Sequence, residues 1–519
     1  MEIITKQMEM NQTAKRLIDQ FVLDEDYNVP DAKNDVKKVI ASKGELRVDE
    51  TKPVENYLRI QGEISFRILY VAEGIEPTFS CLEGKIPYVE MVYLEEGMGN
   101  QPQVRRTNVE LSVQLIHSRK LRIKAMAELT LEREKERMED IPVDVSSEWN
   151  IFKKEKNIEL LRLHTTKKDT CRIKEEILLT GTKESIGTML WSEVSTRRLE
   201  TKLAMDELQI NGELLVFCFY ESPDGKIDWI EQAVPYQGRV MCDGVDETMY
   251  HHAQIELNDV HTDVRADEDG ELRCIGIEGT WNVFVTVYEE EHMDVLEDFY
   301  SLERKCELEW EPISYEQLVV QNHSKCKVME RIGVPELHGE VLQICHSGGT
   351  VRVDRMQQKE DGVLIEGALY FHFLFVKTSD EIPFDIWEGV VPFSHLVECG
   401  AQEEELNYHI SSILEQLSVT LQGGDEIEVK AVLAFHGCFR KVETMEMIQS
   451  VKTEMISREE IEKRPGMIGY MVKEGDDLWK LAKRYYTCVD TLKSVNDITD
   501  ETLKPGTRFL IFKENMGIM

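Results

Sequence analysis

No run of eighteen apolar residues occurs anywhere in this 519-residue sequence, so it offers no candidate for a membrane-spanning helix. Met1 to Asp26 is polar and lacks the continuous apolar core of a signal peptide. The eleven cysteines fall one by one, with no Cys-x-x-Cys pair and no histidines at zinc spacing. That excludes a disulfide framework as the reading and points to a reduced, cytosolic compartment. Cys218 and Cys274 lie inside strand patterns and read as small core residues. Positive charge is also in deficit: 61 basic against 98 acidic residues leave a net charge of −37. This argues against nucleic acid and against an anionic membrane surface as direct partners.

Signatures of chemistry are missing too. There is no Gly-x-x-x-x-Gly-Lys-Ser/Thr loop to cradle a triphosphate, no Gly-x-Ser-x-Gly elbow and no His-Glu-x-x-His helix. Gly348-Gly349-Thr350 reads as a turn and not as a phosphate loop. His251-His252 and His261 do not form a metal set, because adjacent strand residues point apart. The acidic runs Glu289-Glu290-Glu291 and Glu403-Glu404-Glu405 read as solvated loops. The expectation is a protein without catalytic residues, cofactor or metal.

What the chain does have is a long internal repeat. Ile60-Gln61-Gly62-Glu63, Ile210-Asn211-Gly212-Glu213 and Ile365-Glu366-Gly367-Ala368 recur with their glycines 150 and 155 residues apart. Each opens an alternating apolar run in the same phase: Ile64, Phe66, Ile68 and Tyr70; Leu214, Val216, Cys218 and Tyr220; Leu369, Phe371, Phe373 and Phe375. Period-two alternation of this length predicts strands with one buried face. An Arg-aliphatic-acid triplet precedes each glycine (Arg47-Val48-Asp49, Arg198-Leu199-Glu200, Arg352-Val353-Asp354). A Pro-aromatic pair follows it (Pro87-Tyr88, Pro235-Tyr236, Pro392-Phe393). Further strands are predicted at Val109–Leu115, Leu121–Leu131, Leu272–Tyr288 and Ile427–Phe435, with a helical piece at Asp31–Ala41 ahead of the first triplet. The fold class is mainly β: three strand-rich domains at 1–165, 166–322 and 323–456, of ordinary domain size. A linker follows at 457–467, polar over Ser457 to Arg464 and bounded by Pro465-Gly466.

The last fifty residues differ. Tyr470 and Val472 form a short strand that turns at Gly475. Asp476 can cap a helix in which Leu478, Leu481, Ala482 and Tyr485 recur at i, i+3, i+4 and i+7. A second helix is predicted at Val489–Val495, and Pro505-Gly506 turns the chain into a strand at Arg508–Phe512. Trp479 and Tyr485 read as the core of this βααβ unit. From Ile468 to Lys513 there are eight Lys/Arg and seven Asp/Glu, so the unit is near neutral while the β region carries the acidic excess.

Tyr470-x-Val472-x-x-Gly475-Asp476-x-Leu478-Trp479, Leu481-Ala482, Leu492-x-x-x-Asn496 and Pro505-Gly506 together resemble a LysM module over residues 468–513. The resemblance implies a groove for N-acetylglucosamine polymers between the first turn and the facing loop, here Gly475 to Leu478 and Asn496 to Thr499. Two positions depart from the glycan-binding pattern: Asp477 stands where binders carry Thr or Ser, and the module closes Ile511-Phe512-Lys513 instead of Ile-Pro.

With three copies of the Ile-x-Gly mark ahead of one LysM module, the whole layout resembles the SPOCS-domain plus LysM proteins of spore-forming clostridia, the SipL type of spore-coat morphogenetic protein. That resemblance implies three SPOCS-like repeats in a non-enzymatic scaffold made in the mother-cell cytoplasm, which helps encase the forespore in coat. It implies that the LysM module binds the coat morphogenetic ATPase SpoIVA, with other coat proteins as further partners. The partner or glycan surface would comprise Lys473, Gly475, Asp476, Asp477, Leu478, Trp479, Asn496, Asp497 and Ile498, or the helix face of Lys480, Lys483 and Arg484. The alternative is a cell-wall protein that holds N-acetylglucosamine polymers.

Overall fold

In a computed structural model the protein is described at all residues except 75–77, 95–101, 338, 380, 401–405, 424, 499–502 and 513–519. Glu403-Glu404-Glu405, Thr499 and Lys513 lie outside the described residues.

The first repeat contains β1 (Glu2–Asn28), β2 (Val36–Val54), β3 (Tyr57–Ala72), β4 (Phe79–Tyr93), β5 (Gln103–His117) and β6 (Lys120–Ser146). They form two antiparallel sheets, ordered β1-β6-β5 and β2-β3-β4. The second repeat copies this with β7 (Phe152–Leu178), β8 (Thr188–Ala204), β9 (Glu207–Glu221), β10 (Ile227–Met241), β11 (Tyr250–Ala266) and β12 (Leu272–Tyr300). The third does so with β13 (Arg304–Gly333), β14 (Val341–Lys359), β15 (Gly362–Lys377), β16 (Phe384–Glu398), β17 (Leu406–Leu421) and β18 (Glu426–Met455). The edges expected at 165/166 and 322/323 therefore fall inside β7 and β13. The first and last strands of each unit, far apart in sequence, pair along their whole length, and no local pattern announces that pairing.

The repeated sequence marks meet in space. Gly62 lies opposite Tyr88 on one side and Val48 on the other, and Gly367 lies opposite Phe393 and Val353. Gly212 lies opposite Tyr236, and its other neighbour bulges at Arg198 and Leu199, with Arg198 at φ 50°. The Arg-aliphatic-acid triplet is thus a β-bulge in all three copies, with Asp49 and Asp354 as the extra residues in the first and third. The central glycine makes room for the bulged backbone or the aromatic ring across from it. At Gly62 an added Cβ would fall inside 3.0 Å of the Arg47 carbonyl oxygen, and at Gly367 inside 3.0 Å of that of Arg352.

All twelve positions of the three alternating runs are buried. The opposite face is not solvated near the strand ends, however: Leu69, Phe217, Phe219 and Leu374 are buried as well. They belong to a cluster drawn from all three repeats, where Phe79, Phe219 and Phe384 meet edge to face at centroid distances of 5.6, 5.7 and 5.0 Å. The repeats therefore close into a ring about a pseudo-threefold axis. Charged contacts cross the seams, including Lys38–Asp385 at 2.6 Å between the first and third repeats. A cavity of about 500 Å³ lies among the three, lined by equivalent segments such as Gly44 and Glu45, Ser195 and Thr196, and Gly349 and Thr350.

Away from this ring the pairs β1–β6, β7–β12 and β13–β18 form a stalk with its own three-way core, Met8 and Ile141, Leu160 and Val295, Ile313 and Met447. Where the stalk meets the ring, Arg440 is buried and donates to Glu316 at 2.7 Å and to the Tyr288 hydroxyl at 3.3 Å. Each repeat starts and ends at the stalk tip, so the junctions 147–151 and 301–303 both lie there.

Asp31–Ala41 is a turn followed by the start of β2 and not a helix. Register shifts between Val36 and Lys38 and between Val39 and Ala41 interrupt the alternation, leaving Val36 and Ile40 buried four residues apart, a spacing that imitates a helix. The eleven cysteines are not paired with one another, and seven are buried. Among the described residues no helix is long and apolar enough to cross a membrane.

Candidate functional site

The segment 457–464, expected as plain linker, holds a short helix α1 (Arg458–Lys463). The module follows with β19 (Met467–Met471), α2 (Leu478–Tyr485), α3 (Val489–Val495) and β20 (Arg508–Phe512), and β19 and β20 pair antiparallel. Its core is Val472, Leu478, Leu481, Ala482, Leu492, Phe509 and Ile511, with Leu478, Leu481 and Ala482 at the predicted helical spacing.

The cap is one residue later than the sequence suggested. Asp477 is the N-cap of α2, accepting from the Lys480 amide at 2.6 Å. Asp476 instead closes the turn before it, accepting from the Lys473 amide and the Tyr470 hydroxyl, both at 2.8 Å. These two hydrogen bonds hold the Asp476 carboxyl below its ordinary range. Gly475 takes φ 85°, the left-handed conformation that favours glycine. On the other side Asn496 donates to the Leu492 and Leu510 carbonyls at 2.9 and 2.7 Å and accepts from the Leu510 amide at 2.7 Å. Ile498 packs on the core, and its amide bonds the Lys493 carbonyl at 3.0 Å. The first half of the expected groove is thereby tied to β19 and α2, the second to α3 and β20. Lys473, Gly475 and Asp497 are exposed, and Asp476 and Asp477 are half-buried.

Trp479 is not simply module core. Its indole nitrogen donates to Asp298 at 2.8 Å, and its ring meets Tyr300 edge to face at 5.0 Å. Lys483 pairs with the same Asp298, and the Tyr300 hydroxyl donates to the Thr487 carbonyl at 2.8 Å. Tyr300 in turn stacks on Phe152. All of these partners stand at the stalk tip of the second repeat, so one face of α2 is seated on the β body. Asp298, Tyr300 and Phe152 carry no mark in the sequence that would assign them this role, being far in sequence from the module they hold. Of the alternative face, Lys483 is engaged, while Lys480 and Arg484 are exposed.

Residues 470–512 match the LysM domain family, and residues 35–117, 185–265 and 340–422 each match the SipL, SPOCS domain family. The chain is a SPOCS-plus-LysM protein of the SipL type. Each SPOCS match begins at or just before the second strand of a repeat and ends with its fifth, so it contains the bulge, the glycine and the facing aromatic. The long first and last strands that build the stalk lie outside the SPOCS matches. SPOCS and LysM are non-catalytic binding domains, and the SipL family relates this chain to sporulation. No curated protein and no solved structure matches the chain.

Proposed function

We propose that this protein is a non-enzymatic scaffold of spore-coat assembly, which binds a SpoIVA-type coat morphogenetic ATPase through its LysM module and works in the mother-cell cytoplasm at the forespore surface. The observation that carries this reading is how the groove spends its polar groups. Asp476, Asp477 and Asn496, the polar side chains at the expected groove, are committed to the module's own turns, cap and final strand. Trp479, in the first turn of α2, is taken by Asp298 and Tyr300. Among the described residues of the rim, Lys473 and Asp497 stay exposed, a pattern of charge suited to a protein surface. Seating α2 on the β body means that whatever the module binds brings the three SPOCS repeats with it.

The test is calorimetric titration of the full chain with the purified ATPase and, separately, with N-acetylglucosamine oligomers. Binding to the ATPase alone is expected, with Lys473→Glu combined with Asp497→Lys weakening it about tenfold or more, as reversal of rim charges does. Binding to the oligomers alone would replace this reading with the cell-wall one.

A further inference from the structure

We propose that Glu193, His346 and His372 bind a divalent transition-metal ion of the zinc class at the seam between the second and third repeats. Across the second repeat's sheet, Glu193 on β8, Phe217 on β9 and Glu231 on β10 form one row of paired positions. His346 from β14 of the third repeat lies flat on that row. Its ring stacks on Phe217 at 4.2 Å and 9°, and its Nδ1 sits 2.5 Å from a Glu231 carboxylate oxygen. These two contacts fix the ring and aim Nε2 at Glu193.

Nε2 then has no hydrogen-bond partner, although His346 is only 5% exposed; Glu193 Oε2 is 3.6 Å away, too far for a bond. His372 Nε2 stands 3.1 Å from that same oxygen. The three ligand atoms lie within 4.8 Å of one another. Ligands about 2.0–2.2 Å from a tetrahedral zinc ion are themselves separated by about 3.3–3.6 Å, which two of these spacings already approach. An orphaned, buried imidazole nitrogen facing a carboxylate and a second imidazole is what a metal would satisfy.

The surroundings fit as well. A ligating imidazole commonly donates its other N–H to a carboxylate, which fixes the tautomer and strengthens the ligand, and Glu231 occupies that position. With both rings neutral, Glu193 and Glu231 carry two negative charges, which one divalent cation balances. Two imidazoles and one carboxylate form a donor set suited to zinc, with a fourth position left for water. Gly348 lies directly opposite His372 and borders the central cavity. A Cβ there would come within 2.5 Å of Glu193 Oε1 and 2.8 Å of His372 Nε2, so only glycine leaves that side of the cluster open. The first repeat has Arg67 in the row position held by Phe217 and His372, five residues after its glycine, and lacks this donor set. The rival arrangement is a proton in place of the metal. Burial opposes charge on His346, but Glu193 and Glu231 outweigh it and raise its pKa to about 9.

The test uses the full chain, purified without chelator. Metal content by mass spectrometry and calorimetric titration with zinc chloride should give one equivalent per chain, and cobalt substitution should give the visible absorption of a tetrahedral site. Glu231→Gln, which removes no ligand, should weaken zinc binding by about 10- to 100-fold, and His372→Gln, which removes a half-buried ligand, by at least as much. His292→Gln, an exposed histidine elsewhere, should leave it unchanged. Circular dichroism confirms that each variant folds. No bound metal and no zinc-dependent rise in melting temperature would overturn the proposal in favour of the protonated clamp. So would full zinc binding by His372→Gln and Glu231→Gln.

Discussion

Replacing Gly62 by alanine should cost the first repeat considerably more than the same change costs the second repeat at Gly212, although the two glycines hold equivalent places. At Gly62 the new methyl group meets the Arg47 carbonyl oxygen, part of a bulged strand that cannot retreat without breaking its pairing with β3. At Gly212 it meets the Tyr236 hydroxyl at 2.5 Å, the far end of a side chain whose oxygen has no hydrogen bond to lose. Overpacking costs about 1–3 kcal/mol, and the lower chain entropy of alanine returns roughly 0.5–1 kcal/mol. Adding a lost ladder hydrogen bond of about 1 kcal/mol puts Gly62→Ala near 3 kcal/mol, against about 1 kcal/mol for Gly212→Ala. In a unit of this size that is a melting shift of about 6–12 °C against about 2–4 °C. Gly367→Ala, facing the Arg352 carbonyl oxygen, should follow Gly62→Ala. Because the seams tie the units together, the ranking decides more than any absolute shift. Scanning calorimetry of the three variants provides it, and a Gly212→Ala loss equal to or larger than that of Gly62→Ala would refute the reasoning.

The seating of the module is tested by Asp298→Ala, which removes the partner of both Trp479 and Lys483. Limited proteolysis should then cut faster within residues 457–466 while the melting of the β body stays unchanged; an unaltered cutting rate would show that the contact does not hold the module. Acid should weaken the seam beside the ring through His251, His252 and His436, whose pKa values burial lowers to about 4, helped by neighbouring cationic groups. A lowered folded pKa contributes stability that is complete above the unfolded value near 6.5 and is lost as pH falls through about 4. The full linkage is roughly 3 kcal/mol per ring before solvent screening reduces it. Urea midpoints should therefore fall between pH 6.5 and 4.5, less steeply in His252→Gln with His436→Gln; parallel slopes would count against it.

The marks that recur in the sequence proved to be one physical device. The triplet, the glycine and the Pro-aromatic pair were legible because each copy needs a bulge, a place without a side chain and a ring at neighbouring positions, and those needs repeat. Asp31–Ala41 misled because the bulges in β2 break period two where the strand begins. Trp479 was legible as an aromatic that must be covered, but its cover comes from Asp298 and Tyr300, and contacts between distant segments leave no spacing to read. The same holds for Glu193, His346 and His372: each is an ordinary residue in its own strand, and only closure of the repeats brings them together. His251 and His252 drew attention by being adjacent, which on a strand is the arrangement that keeps two side chains apart.

A ring closed by Phe79, Phe219 and Phe384 counts its own members. In an open stack of repeats each copy touches only its neighbours, so copies can be gained or lost and the array simply grows or shrinks. Here each of these three aromatic residues touches the other two, and a fourth copy would have no vacancy to enter while a missing one would leave two phenyl rings facing water. Since every copy begins and ends at the stalk tip, its neighbours' threading would survive its exchange for a relative, but the number three would not be free to change.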